Sequence, residues 1–154
     1  VKQLLYKHKL TIDSEDKGRP WGGFYVIEEK DAGKFIDIFF PQLDKQVILS
    51  GKVSPKILMV QPQKKLSWQY HHRRSEIWKL IEGEAGVIRS DTDDENELTV
   101  LAPGETIELK QGERHRLVGL NDWGIIAEIW MHTDASNPSD EDDIVRVQDD
   151  FGRR

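Results

Sequence analysis

The chain of 154 residues has no cysteine. It can therefore form neither a disulfide framework nor a thiolate metal site, and any metal chemistry falls to nitrogen and oxygen ligands. No apolar run approaches the ~20 residues that span a bilayer, and the N-terminus lacks the apolar core of a secretory leader. These absences fit a protein of the reducing cytoplasm that makes no membrane contact. Positive charge is in deficit, with 22 Lys and Arg against 28 Asp and Glu and a net charge of −6. The carboxylates crowd into residues 91–97 and 140–143, which argues against a nucleic-acid partner. Apolar spacing at 3.6 residues is scarce too, and a helical bundle is not expected.

What the sequence does have is short β-rich runs broken by Gly and Pro. Residues 24–27 and 34–40 read as a hairpin turned at 31–33. Further strands are expected at 56–60, 66–71, 76–82, 84–88, 98–101, 106–109, 114–118 and 124–131. Such a count predicts an all-β sandwich or barrel. Residues 1–18 read as an edge strand or arm, and 41–55 as a long loop or lid. The acidic run at 91–97 reads as a solvated turn. The tail from Ser139 is suited to a short capped helix. By length this is one domain, 1–154 with its core at about 56–132, large enough to bury roughly 68–70% of its unfolded surface.

The richest segment runs from Gln69 to Gly83. In an extended strand alternate residues share a face, so Gln69 and His71 point one way while His72 points the other. His72 then suits an orienting role beside a ligand. The polar corner Arg73-Arg74-Ser75 lets a following strand bring Glu76 to the same side. An amide oxygen, an imidazole and a carboxylate suit zinc, manganese, iron or nickel. His115, in Gly104-x5-Lys110-x-Gly112-x2-His115, is the candidate for a fourth ligand. Trp78 and Trp130 read as core. Glu128 stands alone among apolar residues in its strand, and an ionisable group there is costly unless paired or facing a cavity; it is expected to face the interior.

The two stretches resemble the paired cupin motifs. Gln69-x-His71-x4-Glu76-x6-Gly83 matches the first with Gln in place of its first His. The second is matched through His115, with Lys110 where Pro is usual and the closing Asn displaced to Asn121. Because Gly112 still supplies the turn, Lys110→Pro is expected to be nearly neutral for metal binding. More narrowly, the chain is similar to the cupin domain of type II phosphomannose isomerases. That likeness rests on Arg19-Pro20-Trp21-Gly22, on Leu66-Ser67-Trp68-Gln69-Tyr70-His71-His72 leading into Arg74-Ser75-Glu76-x-Trp78, on Gly112-x2-His115-Arg116-Leu117, and on Glu141-Asp142-Asp143-Ile144-Val145-Arg146 followed by Phe151-Gly152-Arg153.

The resemblance implies a double-stranded β-helix with an N-terminal extension and a short C-terminal helix or tail, in a form without the nucleotidyltransferase domain that usually accompanies it. It implies one divalent ion on Gln69, His71, Glu76 and His115. It also implies aldose–ketose isomerisation of a sugar phosphate such as mannose-6-phosphate, with phosphate held by Arg19, Arg116 and Arg146. Glu128 and Arg116 are the residues expected to take part in catalysis, and a homodimer joined through edge strands is expected. Arg73 and Ile77 stand where the family usually has His. Two other readings stay open: a non-catalytic or regulatory sugar-phosphate-binding cupin, and a metal-dependent dioxygenase on the same fold.

Overall fold

In the computed structural model, which describes residues 2–49, 51–133 and 136–148, nine strands hydrogen-bond into one antiparallel sheet that folds over on itself as the expected jelly roll without closing. They are β1 (Ile12–Arg19), β2 (Gly22–Ile27), β3 (Lys56–Val60), β4 (Trp68–Tyr70), β5 (Arg74–Ser90), β6 (Thr99–Val100), β7 (Thr106–Leu109), β8 (Arg114–His132) and β9 (Val145–Gln148). The order is β1-β2-β3-β8-β4-β9, with β5 pairing β6, β7 and β8. Three short helices, α1 (Lys2–Lys7), α2 (Ala32–Phe39) and α3 (Lys45–Ile48), lie outside the sheet. No helix among the described residues is long and apolar enough to cross a membrane.

The frame of the fold is the ladder between β5 and β8. Each is one long strand where the sequence suggested two, and they pair from Arg74↔His132 to Ser90↔Arg114. The ladder slips at two places, between Leu80 and Glu82 and between Gly83 and Ala85. There Gly83 has φ +78, and a Cβ on it would lie 1.8 Å from the Trp123 carbonyl oxygen. Only glycine meets both demands at this crossing. The inner face carries Leu58, Val60, Trp78, Leu80, Val87, Leu117 and Ile126 as one apolar cluster. The outer face carries Ile57, Met59, Ile77, Ile125 and Ile129, packed with residues of the helices.

Four expectations need correction. Residues 34–40 form no strand: Ala32, Phe35, Ile36 and Phe39 are the buried residues of α2. Their i, i+3, i+4, i+7 spacing is helical, and burying such aromatic and aliphatic side chains, at about 1.5–3 kcal/mol each, outweighs the β-propensity of Phe and Ile. The edge strand expected within 1–18 is present as β1, but α1 precedes it. The 41–55 segment is tethered instead of lid-like, with Asp44 capping α3 and Glu29 accepting from the Val53 and Ser54 amides at 3.1 and 2.5 Å. No helix follows Ser139 among the described residues; a turn leads into β9. The motif piece Phe151-Gly152-Arg153 lies outside the described residues.

Candidate metal centre

His71, Glu76 and His115 are all buried and offer ligand atoms that lie within 4.8 Å of one another. The register explains how they meet. β4 ends where the corner to β5 begins, so His71 and Glu76 come from adjoining elements. His115 sits in the opposite half of β8, paired across from Gln69. Nε2 of His71 lies 3.4 Å from Glu76 Oε2, and Nε2 of His115 lies 3.4 Å from Glu76 Oε1. Both rings turn Nδ1 to a backbone carbonyl, His71 to Asp143 at 2.7 Å and His115 to Glu113 at 3.1 Å. A ring whose Nδ1–H is donated to a carbonyl presents the Nε2 lone pair, as a metal ligand requires.

The protonation states suit a cation. Burial takes His71 down to about 4 against the pull of Glu76, with Arg74 and His115 lowering it further, so the ring is neutral at pH 7. Burial alone would raise the Glu76 carboxyl, but His71, Arg74 and His115 outweigh it and hold it well below the usual range. Since His71 is neutral, Arg74 is the standing positive charge among these groups: its Nη2 and Nε lie 2.9 and 3.0 Å from Glu76 Oε2. The guanidinium is fixed from behind by Trp130, whose ring it faces at 3.7 Å, and by Ser139 Oγ and the Asp140 carbonyl at 3.0 and 2.9 Å. Two donors each about 2.1 Å from a tetrahedral ion stand roughly 3.4 Å apart, so the spacing of the triad fits a divalent ion.

Gln69 lines a cavity of about 140 Å³ together with Glu76 and His115. Its Nε2 faces the Ser67 carbonyl at 3.4 Å, which leaves Oε1 as the amide's ligating end. Glu128 reaches the interior as expected and also lines the cavity. Its Oε1 accepts from Trp78 Nε1 at 2.9 Å and its Oε2 from Trp130 Nε1 at 3.3 Å. Burial, reinforced by Glu76, pushes its carboxyl up to about 7 against the opposing effects of Lys56, Arg74 and the Trp78 indole. Arg19 and Arg146 line the cavity as well, and Arg146 stands directly across from Gln69 in β9. Trp78 and Trp130 are buried.

Arg116 is not brought to the cavity. It follows His115, and alternation turns it to the opposite face. There Nε donates to the Leu66 carbonyl at 2.8 Å, Nη1 reaches Glu95 at 3.2 Å, and Nη2 donates to the Gln148 side chain. The acidic run is correspondingly more than a solvated turn. It is exposed, yet Asp93 pairs with Arg114 and its carbonyl accepts from Trp68, while Glu95 covers Arg116. The two positions that depart from the family's His, Arg73 and Ile77, are not among the cavity lining. Ile77 is buried in the outer cluster, and Arg73 pairs with Asp140 at 3.4 Å. His72 is exposed, facing away from His71 as alternation requires.

Sequence reasoning gave Asp143 no role of its own. Besides the carbonyl that orients His71, its side chain accepts from the His72 and Arg73 amides, both at 2.9 Å, and from the Ser139 hydroxyl at 2.6 Å. Burial opposes its ionisation, but these hydrogen bonds outweigh that and hold the carboxyl at about 2. Asp143→Ala strands two amides, and unfolding titrations should show a loss of about 2–4 kcal/mol. The stabilisation depends on the ionised form and is present above pH 4. It should disappear in the wild type as pH falls from about 4 towards 2.

The structure also revises the expectation for Lys110. Gly112 has φ +75 and supplies the turn, but the Lys110 amide donates to Glu113 Oε1 at 2.9 Å. Lys110→Pro removes that donor from the residue whose carbonyl orients His115. We expect about 1 kcal/mol lower stability and weaker metal retention on dialysis, where Lys110→Ala should match wild type.

Comparison with known proteins bears on the family and the fold. The family model described as mannose-6-phosphate isomerase C-terminal matches residues 35–149. The xanthan biosynthesis protein XanB of Xanthomonas campestris is 30% identical over 88% of this chain and 23% of its own length. The mannose-1-phosphate guanylyltransferase ManC of Salmonella typhimurium is 29% identical over 88% and 22%, respectively. The chain thus spans about a quarter of the length of the curated relatives it matches. Among solved structures, the capsular polysaccharide assembling protein CapF of Staphylococcus aureus superposes with a TM-score of 0.55 at 13% identity, over 90% of this chain and 34% of that one. Tomato vicilin gives 0.56 at 18% identity, over 90% and 35%. At these identities the likeness concerns the fold alone.

Proposed function

The chain belongs to the mannose-6-phosphate isomerase C-terminal family, and from that premise we propose that it is a metal-dependent sugar-phosphate aldose–ketose isomerase of the mannose-6-phosphate type. One observation supports this above the rest. Glu76 and His115 of the ligand cluster line the same cavity as Glu128, a buried carboxyl that burial pushes up to about 7. Interconversion of an aldose and a ketose moves a proton between C2 and C1, which calls for a base that becomes an acid within one turnover.

His71, Glu76 and His115 hold the ion in this reading, with Gln69 as the further ligand. A divalent ion there supplies polarisation of the sugar's carbonyl and adjacent hydroxyl. Arg74 keeps Glu76 ionised and pointed at its neighbours. Glu128, fixed by the Trp78 and Trp130 indoles, takes the C2 proton and returns it to C1. Arg19 and Arg146 bind phosphate through charge-assisted hydrogen bonds. Apolar walls from Leu58, Leu66 and Trp78 limit the water around the transferred proton.

The test is exchange of the C2 proton of mannose-6-phosphate with deuterated solvent, followed by proton NMR with metal-loaded protein. The expected result is exchange that a chelator stops and added metal restores. Tight binding of sugar phosphates without exchange would instead support the binding-module reading.

A further inference from the structure

Two charged residues of the cavity lining, Lys56 and Glu141, take no part in the chemistry above. Lys56 begins β3, is buried and lines the cavity. It stands directly opposite Glu128 in the sheet register. Its Nζ nevertheless pairs with Glu141 Oε1, at 2.6 Å, and that side chain is 70% exposed. The ammonium lies 5.0 Å from the centroid of the Trp130 ring and 5.6 Å from that of Phe24. The Arg19 guanidinium lies 5.6 Å from the same Phe24 ring, with Asp16 beside it at 3.0 Å. Arg146 brings a buried Nε with no hydrogen-bond partner.

Three cations besides Arg74 thus share one cavity, and their satisfaction is uneven. A buried ammonium needs a partner, yet the neighbouring buried carboxylate, Glu128, is committed to two indoles. Lys56 is left with a single solvated carboxylate whose contribution is small and readily replaced. A phosphate monoester carries about −1.5 to −2 charge and three acceptor oxygens at pH 7, against one charge from Glu141. It answers the unsatisfied Arg146 donor as well.

We propose that Lys56, together with Arg19 and Arg146, forms the anion-binding pole of the cavity, and that Glu141 is its resident counter-ion, displaced when a phosphate group enters. Lys56 thus takes the place of Arg116, which lies on the wrong face. The identity of the ligand rests on the sugar-phosphate reading above, but the test needs no turnover.

The experiment is calorimetric titration of the full, metal-loaded chain with inorganic phosphate, mannose-6-phosphate and mannose. Lys56→Met should weaken both phosphate ligands roughly ten- to a hundredfold, as loss of one charge-assisted contact implies. Lys56→Arg should recover part of that. Glu141→Gln, at an exposed position, should act in the opposite direction and tighten both by roughly two- to fivefold. Affinity for mannose should not change in any of them. Phosphate affinity that is undetectable in wild type, unchanged in folded Lys56→Met, or not tightened in Glu141→Gln overturns the inference. Lys56-dependent phosphate binding without C2 exchange would leave the inference standing and sink the isomerase reading. Exchange with phosphate affinity indifferent to Lys56 would do the reverse.

Discussion

Protein carrying His71→Ala or His115→Ala should come off a chelator-free purification with no bound divalent ion, while His72→Ala retains the wild-type amount. The contrast follows from the rings' surroundings. His71 and His115 are buried, with Nδ1 tied to a carbonyl and Nε2 aimed at Glu76; His72 is exposed. Removing even an outer-shell partner of a metal ligand costs 10–100-fold in affinity, so losing a ligand should cost on the order of a hundredfold or more. Elemental analysis reads the result directly. Equal metal in all three variants would mean that the triad is a hydrogen-bonded core cluster and nothing else.

Glu128→Gln should lower C2 proton exchange by roughly 10²- to 10⁴-fold, the usual contribution of a general base, with phosphate affinity unchanged. The Trp78 indole can still donate to the amide oxygen, so the side chain keeps its place. Exchange by the wild type needs ionised Glu128 and should rise with pH and then level off. The midpoint should lie below the value of about 7 set by burial and by Glu76, because an ion beside Glu76 offsets that neighbouring charge. In metal-free protein the same group predicts a stability change. Its folded pKa is raised, so its contribution is full below the unfolded value of about 4.5 and lost as pH rises to about 7. The loss is on the order of 3 kcal/mol. Urea titrations at pH 5 and 7.5 should show it as the difference between wild type and Glu128→Gln, because His71, held down to about 4 when folded, contributes a slope of opposite sign over part of the same window.

Much of the site was legible because ligand chemistry in a strand leaves a short-range trace. The spacing of Gln69, His71, Glu76 and His115 needs only alternation and one turn to be read. Glu128 could be placed inside because a lone carboxyl in an apolar strand has few other places to go. Arg116 failed for the same reason that His115 succeeded: adjacent residues in a strand face opposite ways, and membership in a shared motif says nothing of facing. Lys56 and Asp143 left no local signal. Lys56 acquires its place from pairing with Glu128, 72 positions away in sequence, and Asp143 acts on a corner 70 residues upstream. Phe35, Ile36 and Phe39 were misread as strand residues because their side chains favour strands while their spacing is helical.

The slipped register at Leu80 to Ala85 has a consequence for how the sequence can vary in length. It joins the half of β5 that carries Glu76 to the half that pairs with the His115 end of β8. Losing or gaining a single residue there would turn residues 86–90 over, exchanging their inward and outward faces. It would also place Val87, now in the inner cluster, towards solvent. A change of two residues would restore the faces and displace only the crossing. Relatives of this chain should therefore be free to drift in length through the exposed stretch at 91–97, but at the crossing they should keep a fixed count or differ by an even one.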